Sequence, residues 1–482
     1  MNTTLLAFVV AYLVGTMLIG LYAGTRVKNT ADFAVAGRSL PLAMVITTTF
    51  ATWFGAETVM GIPAKFVEGG LNAVVEDPFG ASMCLVLVGA FFASRLYKMN
   101  LLTIGDYYRE RYGRGVEIFC SVAIILSYLG WVAAQITALG LVFSVLSGGE
   151  ISPATGMVIG TSLVLAYVLV GGMLAVAWTD FIQMVVLVVG LSFIAYTAAG
   201  QAGGADKVLA LAEQKDWFKF LPEPTADGWV WFVAAAITMM LGSIPQQDVF
   251  QRVMSAKDAD TARKGAIIGG FSYLAFAFVP MFIVASALII MPGEIGELLA
   301  NDPQKVLPTL ILNHMPLVAQ ILFFGALVSA IKSTSSATLL APSTSFVENI
   351  LKNLMPNMTD KMELRLMRIT IFVFTGLVLT YAIVMQGTSI YDLVSAAYQV
   401  PLVGAFVPLV FGLYWQRATT QGAIASIVLG IGTLALFTFN ATLGEAFPGQ
   451  LAGLGMALAG MLLGSLGPQL IANKHLKAAH IA

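Results

Sequence analysis

The chain has 482 residues, of which 58% are hydrophobic and only 11% charged, with a net charge of −1 and a mean hydropathy of +0.86. Soluble domains carry about 25% charged residues, so a soluble fold is excluded, and the near-zero charge offers nothing to nucleic acid. The apolar residues fall in runs near the ~20 residues needed to cross hydrocarbon as a helix, which makes this an all-α polytopic membrane protein.

Thirteen runs are expected to span, near 4–24, 40–64, 74–95, 116–146, 153–172, 176–199, 229–249, 265–291, 316–346, 369–386, 389–414, 420–440 and 450–471. The N-terminus lacks the basic start of a secretory signal, so the first run is expected to stay as a helix. Cys84 and Cys120 both lie in apolar runs, which speaks against a disulfide or metal framework. The connections are short, and 1–482 reads as a single transmembrane domain. Within it, 1–39 is a leading helix and loop, 40–199 a first repeat, 229–414 a second repeat, and 415–482 two peripheral helices with a short tail.

Basic residues set the orientation. With the N-terminus outside, nineteen fall on the cytoplasmic side: Arg26, Lys28, Arg38, Arg95, Lys98, Arg109, Arg111, Arg114, Arg252, Lys257, Arg263, Lys264, Lys352, Lys361, Arg365, Arg368, Arg417, Lys474 and Lys477. Five fall outside: Lys65, Lys207, Lys215, Lys219 and Lys305. The C-terminus is then cytoplasmic. Lys332 alone belongs to neither side. The expected location is the plasma (cytoplasmic) membrane, crossed many times.

Two spans have interrupted middles. Gly55 and Glu57 interrupt TTTFATWFGAETVMGIPA at 47–64, and Gly242, Ser243 and Pro245 interrupt AAAITMMLGSIPQQDVFQ at 234–251. Corresponding breaks in two halves point to a transporter built on inverted repeats, although Gly and Pro also kink ordinary spans. Residues 323–347, FFGALVSAIKSTSSATLLAPSTSFV, place Lys332, Ser333, Thr334, Ser335, Ser336 and Thr338 in mid-membrane. A lysine there costs about 2.5–3.5 kcal/mol on insertion scales. Ala330, Ser333 and Thr334 share one helical face. One carbonyl and two hydroxyls suit a hard monovalent cation such as Na+, and the first break could add carbonyls of Ala51 and Phe54. Ser and Thr also commonly bond their own i−4 carbonyls in membrane helices.

Three motifs are familiar: GGMLAVAWTDFIQ at 171–183, PQQDVFQRVMSAKDADTAR at 245–263 and SAIKSTSSATLLAPS at 329–343. They resemble the sodium/solute symporter family, from the first span through the eleventh. The resemblance implies a leucine-transporter-type fold: 13 transmembrane helices, an inverted 5+5 repeat after a leading helix, and broken first and sixth core helices. It also implies a sodium site at Ala51, Phe54, Ala330, Ser333 and Thr334. Within the family the chain is most similar to the high-affinity choline transporter branch, through FATWFGAETVMG at 50–61, EDPFGAS at 76–82, GWVAAQITALG at 130–140 and IPQQDVFQRV at 244–253. That branch holds a quaternary ammonium in an aromatic cage by cation–π attraction. Trp53 and Trp131 match two cage positions, while Gln246 stands where a third tryptophan would be. A cationic, zwitterionic or small polar solute is therefore expected.

Glu57 is expected either in the substrate cavity or hydrated at the outer mouth. Gln246 and Gln247 are expected either on substrate or capping a half-helix, and Tyr398 and Gln399 are weaker candidates. Some relatives are thought to use the counterpart of Asp180 in a second sodium site with hydroxyls on the eighth core helix. Ser336 matches one such hydroxyl and Ala337 replaces another. Lys332 lies about 100° around its helix from Ser333. Its ammonium is expected to fill that second site and pair with Asp180 beside Ser336, or else to snorkel into a cytoplasmic vestibule.

The function expected is a sodium-coupled secondary active symporter importing a small organic solute. The alternatives are a proton-coupled transporter using Lys332 or Glu57, and a transporter-like membrane sensor. No nucleophile–base pattern marks an enzyme, and His314, His475 and His480 are scattered. Na+ is the expected coupling ion, with no other metal and no organic cofactor. The solute and the lipid bilayer are the expected partners, with no nucleic acid and no protein partner implied.

Overall fold

The computed structural model describes residues 3–471 apart from Pro356, so Lys474, His475, Lys477 and His480 lie outside the described residues. The described residues are almost wholly helical. Ten helical segments are long and apolar enough to cross a membrane, or up to eleven if the bent pair Ala226–Gly242 and Gln247–Met254 is one span. Two shorter apolar helices, Leu42–Trp53 and Pro153–Ala166, fall on two further expected runs. By length and composition alone, the described residues therefore do not reach the expected count of thirteen.

The helices that build the centre are α1 (Thr3–Gly24), α2 (Leu42–Trp53), α3 (Ile62–Ala73), α4 (Arg114–Leu146), α5 (Pro153–Gln201), α6 (Ala226–Gly242), α7 (Gln247–Met254), α8 (Ala259–Ile290), α9 (Leu317–Ser345), α10 (Asp360–Val384), α11 (Ile390–Pro401), α12 (Thr420–Phe439) and α13 (Gly449–Leu466). A further span, Val75–Lys98, lies between α3 and α4. Helices α9 and α5 pack closely, α4 lies against both, α11 packs on α4, and α8 packs on α2. Helices α12 and α13 pair with each other, and α1 lies on α5 and α9. Apolar side chains such as Leu18, Val189, Phe372 and Leu463 face outward. In hydrocarbon such exposure is favourable.

Helix α5 shows why length alone misleads. Its 49 residues would extend about 70 Å, against a hydrocarbon core of ~30 Å. Gly172 breaks it, with φ 52° and ψ −158°, a conformation that L-residues avoid. A Cβ there would lie 2.6 Å from both the ring and the carbonyl oxygen of Phe33. The turn therefore needs glycine for conformation and for space. Gly172→Ala should destabilise the protein by about 1–3 kcal/mol, read as a lower midpoint of thermal unfolding in detergent. An unchanged midpoint would show that the turn tolerates a side chain.

Candidate functional site: a broken helix facing a hydroxyl-rich helix

Helix α2 stops because its next hydrogen bond is diverted. The Gly55 N–H, which would close a turn onto Ala51, donates to the Trp53 carbonyl at 2.7 Å. This releases the Ala51 carbonyl. The Ala56 N–H, which begins the next half-helix, donates to Gln135 Oε1 on α4 at 3.0 Å. A π-helical turn, Glu57–Gly61, then leads into α3. In hydrocarbon no water can satisfy freed backbone groups, so protein must do it. A Cβ on Gly55 would lie 2.7 Å from Thr334 Oγ1 and 2.9 Å from Gln135 Oε1, so the break is also a point of close helix approach.

The second break falls after α6, where α7 turns away by 48°. Gln246 at the corner makes no side-chain cap. Its Nε2 donates to Ser127 Oγ on α4 at 2.8 Å, and its Oε1 is buried without a partner. Gln247 points elsewhere: its Oε1 accepts the Ile104 N–H at 2.8 Å. That bond supports the start of the short helix Ile104–Tyr112, which Thr103 caps, and Gln247 Nε2, like Gln246 Oε1, is buried without a partner.

Ala51, Phe54, Ala330 and Ser333 line one small cavity together with Phe50, Asp180 and Gln183. Thr334 Oγ1 lies 3.5 Å from the Ala51 carbonyl oxygen. All five residues expected at the sodium site thus meet across the α2–α9 contact. Asp180 is fully buried. It accepts hydrogen bonds from Thr48 Oγ1 at 2.7 Å and from Ser333 Oγ. Gln183, one turn further along α5, is also buried, and neither polar atom of its amide has a partner.

Lys332 is within electrostatic reach of Asp180, as expected, but a second basic group stands closer. Arg252 of α7 reaches Asp180 with Nη2 at 3.8 Å. The same guanidinium binds Asp248 at 3.3 Å and donates from Nε to Thr48 at 3.3 Å. Tyr128 of α4 in turn donates to Asp248 at 2.6 Å. Arg252, one of the basic residues counted on the cytoplasmic side, is fully buried in the protein. Lys332 donates to Thr16 of α1 at 2.8 Å and borders an apolar cavity lined by α1, α4, α5 and α9. The reason is helical geometry. Ser333 faces Asp180, and one residue back the side chain points about 100° away, towards the leading helix. Ser336 donates to the Lys332 carbonyl at 2.6 Å, an i−4 bond within its own helix.

Trp53 and Trp131 come together, but as a closed stack. Their rings lie 5.4 Å apart at 27°. Tyr398 contacts both, at 5.7 and 5.2 Å, and Tyr128 stacks on Trp131 at 5.9 Å. Such centroid distances are those of touching rings, so no cation fits between them in this arrangement. Trp53 Nε1, Tyr398 Oη and Gln135 Nε2 are buried without partners. Glu57 is buried, not hydrated at a mouth, and lies within electrostatic reach of Asp77 and Glu76.

Several of these groups were within reach of sequence reading. Asp248 and Arg252 stand at i, i+4, and Asp180 and Gln183 at i, i+3, each pair inside a quoted motif. Gln135 carried no such signal, since only the fold brings it to the break in α2.

Two discontinuous helices around buried polar groups define a transporter of the broken-helix class. The model of the sodium:solute symporter family matches residues 33–430, and the chain belongs to that family. It is therefore a multi-pass membrane protein of sodium-linked solute transport. It is 28% identical over 448 residues to the high-affinity choline transporter 1 of Torpedo marmorata, covering 88% of this chain and 75% of that one. It is 27% identical over 472 residues to the sodium/sialic acid symporter NanT of Aliivibrio fischeri, covering 94% and 91%. In fold it is similar to a Na+-coupled sialic acid symporter solved in a substrate-bound, outward-open state. That match has a TM-score of 0.82 at 21% identity, covering 97% of this chain and 99% of the other.

Breaking one side of a buried ion pair leaves an uncompensated charge. In a thermal-unfolding double-mutant cycle, Asp180→Asn and Arg252→Gln should therefore couple by roughly 1–3 kcal/mol. Asp180→Asn with Lys332→Met should couple more weakly than that, because the guanidinium lies within ion-pair distance of the carboxylate. Strong coupling in the second cycle would return the pairing to Lys332.

Proposed function

We propose that this protein is a sodium-coupled secondary active symporter that imports a small organic solute by alternating access across the plasma membrane. In this reading thirteen helices, with the N-terminus outside and the C-terminus in the cytoplasm, carry an inverted 5+5 repeat behind the leading helix. The observation that carries it is the Ala51 carbonyl, released by the break in α2, facing Thr334 on α9 beside a cavity shared with Phe54, Ala330 and Ser333. Carbonyls and hydroxyls are the donors a hard, weakly charged cation accepts. Asp180 adds negative charge at the edge of the same cavity, and Gln183 adds an uncommitted amide oxygen.

Sodium would bridge α2 and α9, and so favour the arrangement in which the two helices are held together. A cation can shift a conformational equilibrium only by its differential affinity for the two states. A site assembled from two helices that move apart has that property. The solute would bind beside the breaks, where Trp53, Trp131, Gln246 and Glu57 converge with Gln135 and Tyr398. Relatives are named for choline, sialic acid and proline, so the family leaves the solute open between cationic, zwitterionic and polar molecules.

The reading is tested on purified protein by sodium-dependent change in thermal unfolding or tryptophan fluorescence, with potassium as control. Sodium should stabilise where potassium does not. Ser333→Ala with Thr334→Ala should weaken the apparent sodium affinity by about tenfold or more, each lost ligand contributing on the order of 1 kcal/mol. Equal responses to sodium and potassium would refute sodium coupling.

A further inference from the structure

Glu57, Glu76 and Asp77 form a buried acidic cluster in the half of the molecule beyond the break in α2. They are 3%, 5% and 0% exposed. Glu57 lies within electrostatic reach of both Asp77 and Glu76. Tyr273 of α8 donates to Asp77 Oδ1 at 2.5 Å, and Ser395 of α11 donates to Glu76 Oε2 at 2.7 Å. Tyr391 lies within electrostatic reach of the same cluster. The remaining ionisable neighbour is Asp392, also acidic. Among the described residues no Lys, Arg or His pairs with any of the three. Any of the three that is ionised carries a charge that burial penalises heavily, and intramembrane carboxylates are expected to have partners.

Two observations say what the missing partner is. Glu76 Oε1 and Asp77 Oδ2 are buried acceptors without a donor, as is Gln246 Oε1 at the second break. Independently, the Tyr398 hydroxyl is fully buried and unpartnered. It lies one turn beyond Ser395 on the same face of α11, within electrostatic reach of Glu57 and against the Trp53–Trp131 stack. Unmet acceptors call for a cation that donates hydrogen bonds. A quaternary ammonium has charge but no N–H to give.

We propose that Glu57, Glu76 and Asp77, with Ser395, Tyr273 and Tyr398, recognise a protonated primary or secondary amine on the transported solute and disfavour its fully methylated counterpart. The cluster is tied to the sodium site through the backbone. Tyr273 Oη lies 3.1 Å from Thr58 Oγ1, and Thr58 donates to the Trp53 carbonyl at 2.8 Å, at the break whose Ala51 and Phe54 line the sodium cavity. Filling the cluster would therefore bear on the conformation of the break. This assignment rests on the transport reading above and names the solute class for it.

The test uses the full-length purified protein in nanodiscs and three matched pairs of probes: ethanolamine and choline, glycine and glycine betaine, putrescine and its permethylated form. Thermal stabilisation is titrated in sodium. In at least one pair the N–H member should bind roughly tenfold tighter or more, the penalty expected for a charged acceptor left without its donor. Glu76→Gln should weaken that binding by at least about tenfold and leave the sodium-induced shift without amine in place. Three results would each overturn the proposal: tighter or equal binding of the methylated members, no binding by any member of the pairs, or unchanged amine affinity in Glu76→Gln. An effect of Glu76→Gln confined to the pH dependence of the sodium response would overturn it too, since the cluster would then carry protons only. Failure of sodium itself to shift stability is read without any amine, so it marks failure of the transport reading separately.

Discussion

Everything in this molecule depends on how backbone groups freed in mid-membrane are satisfied. Water is absent from the bilayer core, and each unsatisfied N–H or C=O there costs several kcal/mol. The chain nevertheless opens α2 at Phe54–Gly55. It can do so because each freed group meets something specific. The Ala56 N–H meets Gln135 Oε1, and the Trp53 carbonyl meets the Gly55 N–H and the Thr58 hydroxyl. The Ala51 carbonyl meets only a long contact from Thr334. The helix is thus closed on most sides and left weakly satisfied on one, and that side faces a cavity.

Buried charge is handled by the same logic. Arg252 is held by two aspartates and by Thr48, so its guanidinium ties α7 to α5 and α2. This joins the helix after the second break to the helix bearing Asp180, which touches the cavity at the first. Lys332 links α9 to the leading helix through Thr16 while staying within electrostatic reach of Asp180. The acidic cluster at Glu57, Glu76 and Asp77 has hydroxyl donors but no basic partner among the described residues. Two interior charge systems are therefore compensated within the protein, and a third is built to be completed from outside it.

The aromatic residues near the breaks show how a motif can survive while its geometry changes. Trp53 and Trp131 occupy positions that resemble a cage for a quaternary ammonium, and they do meet. Gln246 takes the place of a third wall, and its amide bonds Ser127. Tyr398 contacts both tryptophans, and the rings touch. The nearest strong recognition chemistry is then the carboxylates rather than the ring faces.

The sequence by itself determined the helical class, the two breaks, and the face of α9 that carries Ala330, Ser333 and Thr334. These are local properties: hydrophobic runs, Gly and Pro in a span, and residues three and four apart on one helix. It also placed Ala51 and Phe54, because a break frees the carbonyls just before it. Only the tertiary structure decided that Arg252 joins Lys332 in facing Asp180. Positive charge is counted the same way whether it lies at a surface or in the interior, so counting could not say that Arg252 is buried. The same holds for Gln135, Asp77 and Tyr273, which come from helices far apart in the chain. Spacing along one helix can say which residues share a face. What that face meets is set by how the other helices pack against it.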